Sequence, residues 1–359
     1  MSDAAGRDRS VDPPAVKYVM DVLQKRQRDI VAKNWVATCV MDHIRGKLDL
    51  NSASFLSEAE FYLVGSCAEN LATSNKDDRD ILLLLGPPYT PQYFKAIHEG
   101  HGRYFLQWNK CKWNGDKPRY IHAKNYLSAT LLRNHVNSCV CSALQGATIS
   151  GLKVVKLLPW KQAIRAILRK ENDQSQYIVD VLPQIKGDKW KVVDGLVSFG
   201  SLEPELQKII SNLEASGNSA FHFALFGPAG TSPLSFTTSF ALLERDIILK
   251  DNGTRNVMML AKVIIAGQQW KNRFGIKSAH LKRVAIGNIS TLTHLSPWKG
   301  MLELFRMVVS QLQAGYLDGF PDLHCDLFWH KNEEECQHLA KVIVNVILTL
   351  DPNFLANYL

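Results

Sequence analysis

Apolar positions recur with helical spacing over residues 14–47. Val19, Met20, Val22, Leu23, Ile30, Val31, Trp35, Val36, Val40 and Ile44 make a broad stripe. Asp12-Pro13-Pro14 supplies the start signal, so the pattern predicts one long N-terminal helix. Short apolar runs follow at 61–64, 81–85, 163–169 and 177–182 and read as strands. The second is stopped by Gly86-Pro87-Pro88. Glu171-Asn172-Asp173-Gln174 is a turn that makes the last two a hairpin. Residues 127–144 return to helical spacing. Further on, helices are predicted over 203–213, 235–249, 257–270, 298–314 and 333–350, with Gly227-Pro228-Ala229-Gly230 as a connecting turn. The chain reads as a bilobal α+β protein. Residues 15–195 form a mixed β-sheet lobe carrying a long N-terminal spine helix, 196–359 form a helical C-terminal lobe, and 1–14 form a disordered N-terminus.

Composition narrows the class. The chain has 359 residues, 46% of them hydrophobic and 21% charged, as in a soluble globular protein of one large domain or two lobes. No run of about 18 apolar residues occurs, so no membrane span is expected. The start, MSDAAGRDRSVDPP, lacks the apolar core of a secretion signal. Seven cysteines lie scattered, an odd number with no Cys-x-x-Cys. That favours reduced thiols, a cytoplasmic location and no structural zinc.

The net charge of +8 favours a polyanionic partner. Three basic series could meet it. The first helix carries Lys17, Lys25, Arg26, Arg28, Lys33, Arg45 and Lys47. A second series is Lys153, Lys156, Lys161, Arg165, Arg169 and Lys170. The third, Lys110, Lys112, Lys117, Arg119 and Lys124, interleaves with Trp108, Trp113 and Tyr120. Each alone also reads as a solvated face. Lys17, Lys25, Arg26, Arg28, Lys33, Lys153 and Lys156 are the candidate nucleic-acid contacts, made to the backbone and therefore salt-sensitive.

The chemistry concentrates in GSCAENLATSNKDDRDILLLL, residues 65–85. Asp78 and Asp80, two apart and leading into an apolar strand, share one face. Two carboxylates on one face are a platform for Mg²⁺ or Mn²⁺. The Gly65-Ser66 turn ahead of them offers N–H groups and a hydroxyl to phosphate. A solvated Lys76–Asp80 loop before a core strand has the same spelling. A third acid, Asp180, stands inside the apolar run QYIVDVLPQI, where an unpaired carboxylate is costly. Two-metal nucleotidyl transfer needs such a third ligand.

In this order, a long helix, Gly-Ser, Asp-x-Asp, a helix, a hairpin and then Asp in IVDVLP, the chain resembles the cyclic GMP-AMP synthase-like receptors of the male-abnormal-21 domain family. Later segments are similar in the same order. Ser239-Phe240 with the helix after it resembles the family's Ser-Phe segment, and Ala279-His280-Leu281-Lys282 resembles its Tyr-His-x-Lys. Residues 320–328, FPDLHCDLF, resemble its Phe-x-Pro…Asn-Leu-Phe stretch. The likeness spans roughly residues 15–350. It implies a nucleotidyltransferase fold with Asp78, Asp80 and Asp180 as metal ligands and Gly65 and Ser66 around the donor triphosphate. It also implies Ser239 and Glu244 near the bases, Lys262 and Lys282 at phosphates, and a nucleotide pocket between the lobes. Ala279 and Thr237 depart from the family's base-stacking Tyr and base-reading Arg and leave base choice open.

DNA-sensing members carry a Cys-rich zinc thumb after the Ser-Phe helix. Here the matching residues 250–257 read KDNGTRNV, which resembles the RNA-sensing type. The resemblance therefore implies a cyclic dinucleotide made from ATP and GTP, double-stranded RNA as activator and a downstream cyclic-dinucleotide receptor reached through the product. A silent nucleotide- or nucleic-acid-binding adaptor of the same fold and a synthase of linear oligonucleotides stay open as alternatives.

Overall fold

The computed structural model describes residues 12–51, 54–73, 78–109, 118–160, 163–170, 175–225, 232–321, 326–328 and 330–359. The first half of the chain forms α1 (Pro14–Val31), α2 (Trp35–Asn51), α3 (Ser54–Ser57), β1 (Glu60–Val64), α4 (Gly65–Ala68), β2 (Arg79–Leu84), β3 (Phe94–Gly100), β4 (Arg103–Trp108), α5 (Ala129–Leu144), β5 (Thr148–Ile149), β6 (Leu152–Trp160), β7 (Ala163–Lys170) and β8 (Gln176–Lys186). The second half adds α6 (Pro204–Ala215), β9 (His222–Ala224), β10 (Ser235–Ser239), α7 (Ala241–Lys250), α8 (Asn252–Gly267), α9 (Trp270–Phe274), α10 (Ser278–Ile286), α11 (Ile289–Leu292), α12 (Pro297–Gln313) and α13 (Glu333–Thr349). Lys110, Lys112, Trp113, Lys117, Lys161, Lys76 and Asp77 lie outside the described residues, as do the turns expected at 171–174 and 227–230 and residues 322–325.

Two compact units emerge. A sheet unit holds Asp29–Ile247; a helical unit takes the chain up to Arg28, Ile248–Pro321 and the C-terminal stretch with α13. The boundary expected at 195 therefore lies instead within α7, and a second one lies within α1. The reason is β9 and β10. The pattern over 235–249 reads as one helix, but Ser235–Ser239 is a strand with helix only from Ala241. Phe236, Thr237 and Thr238 suit a strand, and pairing with β4 and β9 decides the matter.

In the sheet unit β8 is the hub. Its first half pairs antiparallel with β7, its second half with β9, and β2 runs parallel to its middle. β1 pairs with β2, and the sheet extends through β6 and β5 on one side and β10, β4 and β3 on the other. Ile81, Leu83, Val179, Val181, Ile164, Ala166 and Leu168 share one face and are fully buried. α2 and α5 pack on this part of the sheet. On the other face Leu242 of α7 joins Val64, Leu82 and Leu84 in a buried cluster. Each fully buried leucine there contributes roughly 1.5–3 kcal/mol.

The single helix expected over 14–47 is broken at residues 32–34. Lys33 N and Asn34 N turn back to Ile30 O and Val31 O at 3.0 and 2.9 Å. Tertiary bonds hold the break: the Asn34 amide donates to Cys67 O at 3.3 Å, and Lys33 O accepts from Arg79 Nε at 3.1 Å. The helical unit is built on α8, whose buried side packs against α10 and α12, while α12 also packs on α13. Gly300 lets α12 approach, since a Cβ there would fall 2.4 Å from Val257 Cγ2. No described helix is long and apolar enough to cross a membrane.

One buried group gives the sheet unit a pH signature. His222 on β9 is fully buried, and neither ring nitrogen has a partner among the described residues. Burial first, then the Lys186 charge, lowers its pKa from 6.5 to about 3. Below about 6.5 the unfolded chain takes up a proton that the folded chain refuses until about pH 3, so stability falls as pH falls through that window. In a calorimetric series from about pH 7 to 4, His222→Leu should flatten the decline. A profile as steep as the parent's would remove His222 as its source.

Candidate active site

The parallel pairing of β2 with β8 places Asp80 directly opposite Asp180. β1 sets Val64 opposite Asp80, and β7 sets Arg165 opposite Asp180. Residues directly opposite share a face, so one row across four strands reads Val64, Asp80, Asp180, Arg165. Asp78 stands just before β2 and, two residues from Asp80, on the same face. The three acids expected as metal ligands are thus brought to one patch.

Arg165 fills that patch. Its Nε donates to Asp180 Oδ1 at 2.8 Å and its Nη2 to Asp180 Oδ2 at 2.7 Å, a bidentate fork. Nη2 also donates to Asp78 Oδ2. The Asp180 and Arg165 side chains are 8% and 18% exposed. Removing one partner of a pair this buried costs roughly 3–5 kcal/mol. The hydrogen bonds to Asp180, then the attraction of Asp180 and Asp78, raise the guanidinium's pKa further and keep it charged, against the opposing effect of burial.

Gly65 closes the patch from above Asp80. Its φ is +76°, a left-handed conformation that favours glycine. A Cβ there would fall 2.0 Å from Asp80 Oδ2. The Gly-Ser turn is therefore laid against the Asp80 carboxylate, and Ser66 follows as the second residue of α4. The loop is held from behind. Buried Cys67 donates through Sγ to Asp78 O at 3.3 Å, and buried Arg79 points the opposite way from its neighbours, to Lys33 O and over the Tyr177 ring.

Ser239 ends β10 opposite His222, which lies opposite Lys186 at the far end of β8 from the acids. Glu244 is buried on α7, whose Leu242 packs on Val64. Both are in the sheet unit. Lys262 on α8 and Lys282 on α10 belong to the helical unit, as do Lys17, Lys25, Arg26 and Arg28 of α1. Lys17, Lys25, Arg28, Lys33, Lys153 and Lys156 are exposed, as a polyanion contact requires. Arg26 instead donates to Leu359 O at 2.8 Å. Ala279 and Thr237 lie in α10 and β10.

The donors suit a hard divalent cation: three carboxylates, with no thiol or imidazole among them. Among the described residues no three His, Cys, Asp or Glu side chains stand close enough to share an ion; Asp78 and Asp180 are joined through Arg165. Arg165, which the sequence pattern groups with a basic series that could meet a polyanion or face solvent, is engaged instead by Asp180 and Asp78. Hairpin arithmetic could have found it: Arg169 pairs with Gln176, so counting back pairs Arg165 with Asp180. Compared with known proteins, the chain matches no family model and no curated protein.

Gly65→Ala should lower stability by about 1–3 kcal/mol through left-handed strain and overlap with Asp80. In the Asp80→Ala background the cost should shrink to the strain alone, a coupling that a double-mutant cycle of thermal unfolding reads directly. Equal costs in both backgrounds would mean that the Asp80 carboxylate is not what Gly65 accommodates.

Proposed function

We propose that this protein is a metal-dependent nucleotidyltransferase that joins ATP and GTP into a cyclic dinucleotide, with double-stranded RNA as activator in an immune signalling role. The observation that carries this reading is the in-register pair Asp80 and Asp180, with Asp78 beside them and the Gly65-Ser66 turn laid on Asp80. A mixed sheet unit bearing the acids and a separate helical unit are compatible with a bilobal nucleotidyltransferase.

Asp78, Asp80 and Asp180 would hold Mg²⁺ or Mn²⁺. When bound there, such ions lower the pKa of an attacking ribose hydroxyl and offset charge on the α-phosphate and the leaving pyrophosphate. Asp180 presents its carboxylate from the central strand, where β2, β7 and β8 fix its position. Gly65 and Ser66 would orient the donor triphosphate beside Asp80. Ser239 and Glu244 would meet the bases, and Lys262 and Lys282 would meet phosphate. The exposed cations on α1 and β6 would contact RNA through its backbone, by shape rather than sequence. The product would carry the signal to a cyclic-dinucleotide receptor.

A second reading, a silent nucleotide- or RNA-binding adaptor, draws on one observation: Arg165 already pairs with both Asp78 and Asp180. Product analysis separates the two. Incubation with ATP, GTP and Mg²⁺ or Mn²⁺, with and without long double-stranded RNA, should give a cyclic dinucleotide by mass spectrometry only when RNA is present. Asp78→Asn should reduce turnover by at least about a hundredfold and leave RNA affinity unchanged. Nucleotide binding without any product would support the adaptor.

A further inference from the structure

We propose that Arg165 is a built-in counter-cation that holds Asp78 and Asp180 until a divalent cation takes them over, so that loading the site displaces its guanidinium. This rests on the metal-site reading above and adds to it a competition inside the chain. Three observations carry it.

The first is shared ligand atoms. Arg165 engages both oxygens of Asp180 and Oδ2 of Asp78. These are the lone pairs that a hard cation would use, and a carboxylate has few to spare. The second is placement by the fold rather than by a mobile loop. Register across β7 and β8 fixes Arg165 opposite Asp180, and the side chain is 18% exposed. The third is residue type. A guanidinium presents a planar fork whose two nitrogens meet both oxygens of one acid while one also reaches a second acid; an ammonium, a single nitrogen, lacks that fork. A guanidinium and a divalent ion on the same carboxylates would also repel one another.

The test uses the full chain and Mn²⁺ alone as probe, with free Mn²⁺ followed by electron paramagnetic resonance and melting followed with and without Mn²⁺. Arg165→Met should raise Mn²⁺ affinity by at least about tenfold. The same variant should melt below the parent without metal and regain most of the difference with it. Asp180→Asn should abolish this binding in both backgrounds. Arg165→Lys keeps the charge and loses the fork; it carries the test if Arg165→Met does not fold, with a smaller rise of about threefold or more expected.

If the parent binds Mn²⁺ through Asp180 and the Arg165 variants bind it equally or more weakly, Arg165 is an orienting group and the competition is overturned. If neither parent nor variant binds Mn²⁺ in an Asp180-dependent way, the metal-site reading itself falls, and this inference with it.

Discussion

Two carboxylates held side by side on neighbouring strands repel, and the sheet unit holds Asp80 and Asp180 in that position. Parallel pairing of β2 with β8 makes Asp80 and Asp180 neighbours whatever their charge, since the backbone ladder and the apolar residues on the opposite face set the register. A slip of one residue would move Ile81 and Val181 to the acid-bearing face and the acids to the face where Val179 and Ala166 are fully buried. Burial of the apolar face therefore enforces the juxtaposition of charge, and positive charge must be found for it. Arg165 supplies that charge from the adjacent strand.

The surroundings keep the arrangement in place. A side chain at Gly65 would collide with Asp80. Arg79, between the two acids of the Asp-x-Asp, reaches the other way to the broken turn between α1 and α2, and Cys67 ties Asp78's backbone to α4. Asn34 links the same turn to Cys67. The break in the first helix and the position of the acid loop are thus two ends of one small hydrogen-bonded network, in which no interaction is strong alone but each fixes the backbone that presents a carboxylate.

Much of this was legible in the sequence where a local rule governs. Period-2 alternation placed Asp78 and Asp80 on one face, and the apolar runs located β1, β2, β7 and β8 to within a few residues. What failed depends on distant partners. The Asp180 neighbourhood needs a parallel pairing between strands 100 positions apart in sequence, which no local pattern encodes. Ser235–Ser239 reads as helix until β4 and β9 claim its hydrogen bonds, and the helix over 14–47 reads as continuous until Arg79 and Asn34 hold a turn open. Arg165 stands in a basic series that reads as a polyanion contact or a solvated face; only the hairpin register shows that it faces Asp180.

The central claim is that the acid row is a cation platform whose resting occupant is Arg165. A crystal of the protein soaked in Mn²⁺, with anomalous scattering collected at the manganese edge, tests it most directly. The account predicts an anomalous peak bounded by Asp80 and Asp180 with the Arg165 guanidinium turned away from Asp180. Peaks only elsewhere, with the Arg165–Asp180 fork intact at saturating Mn²⁺, would contradict it.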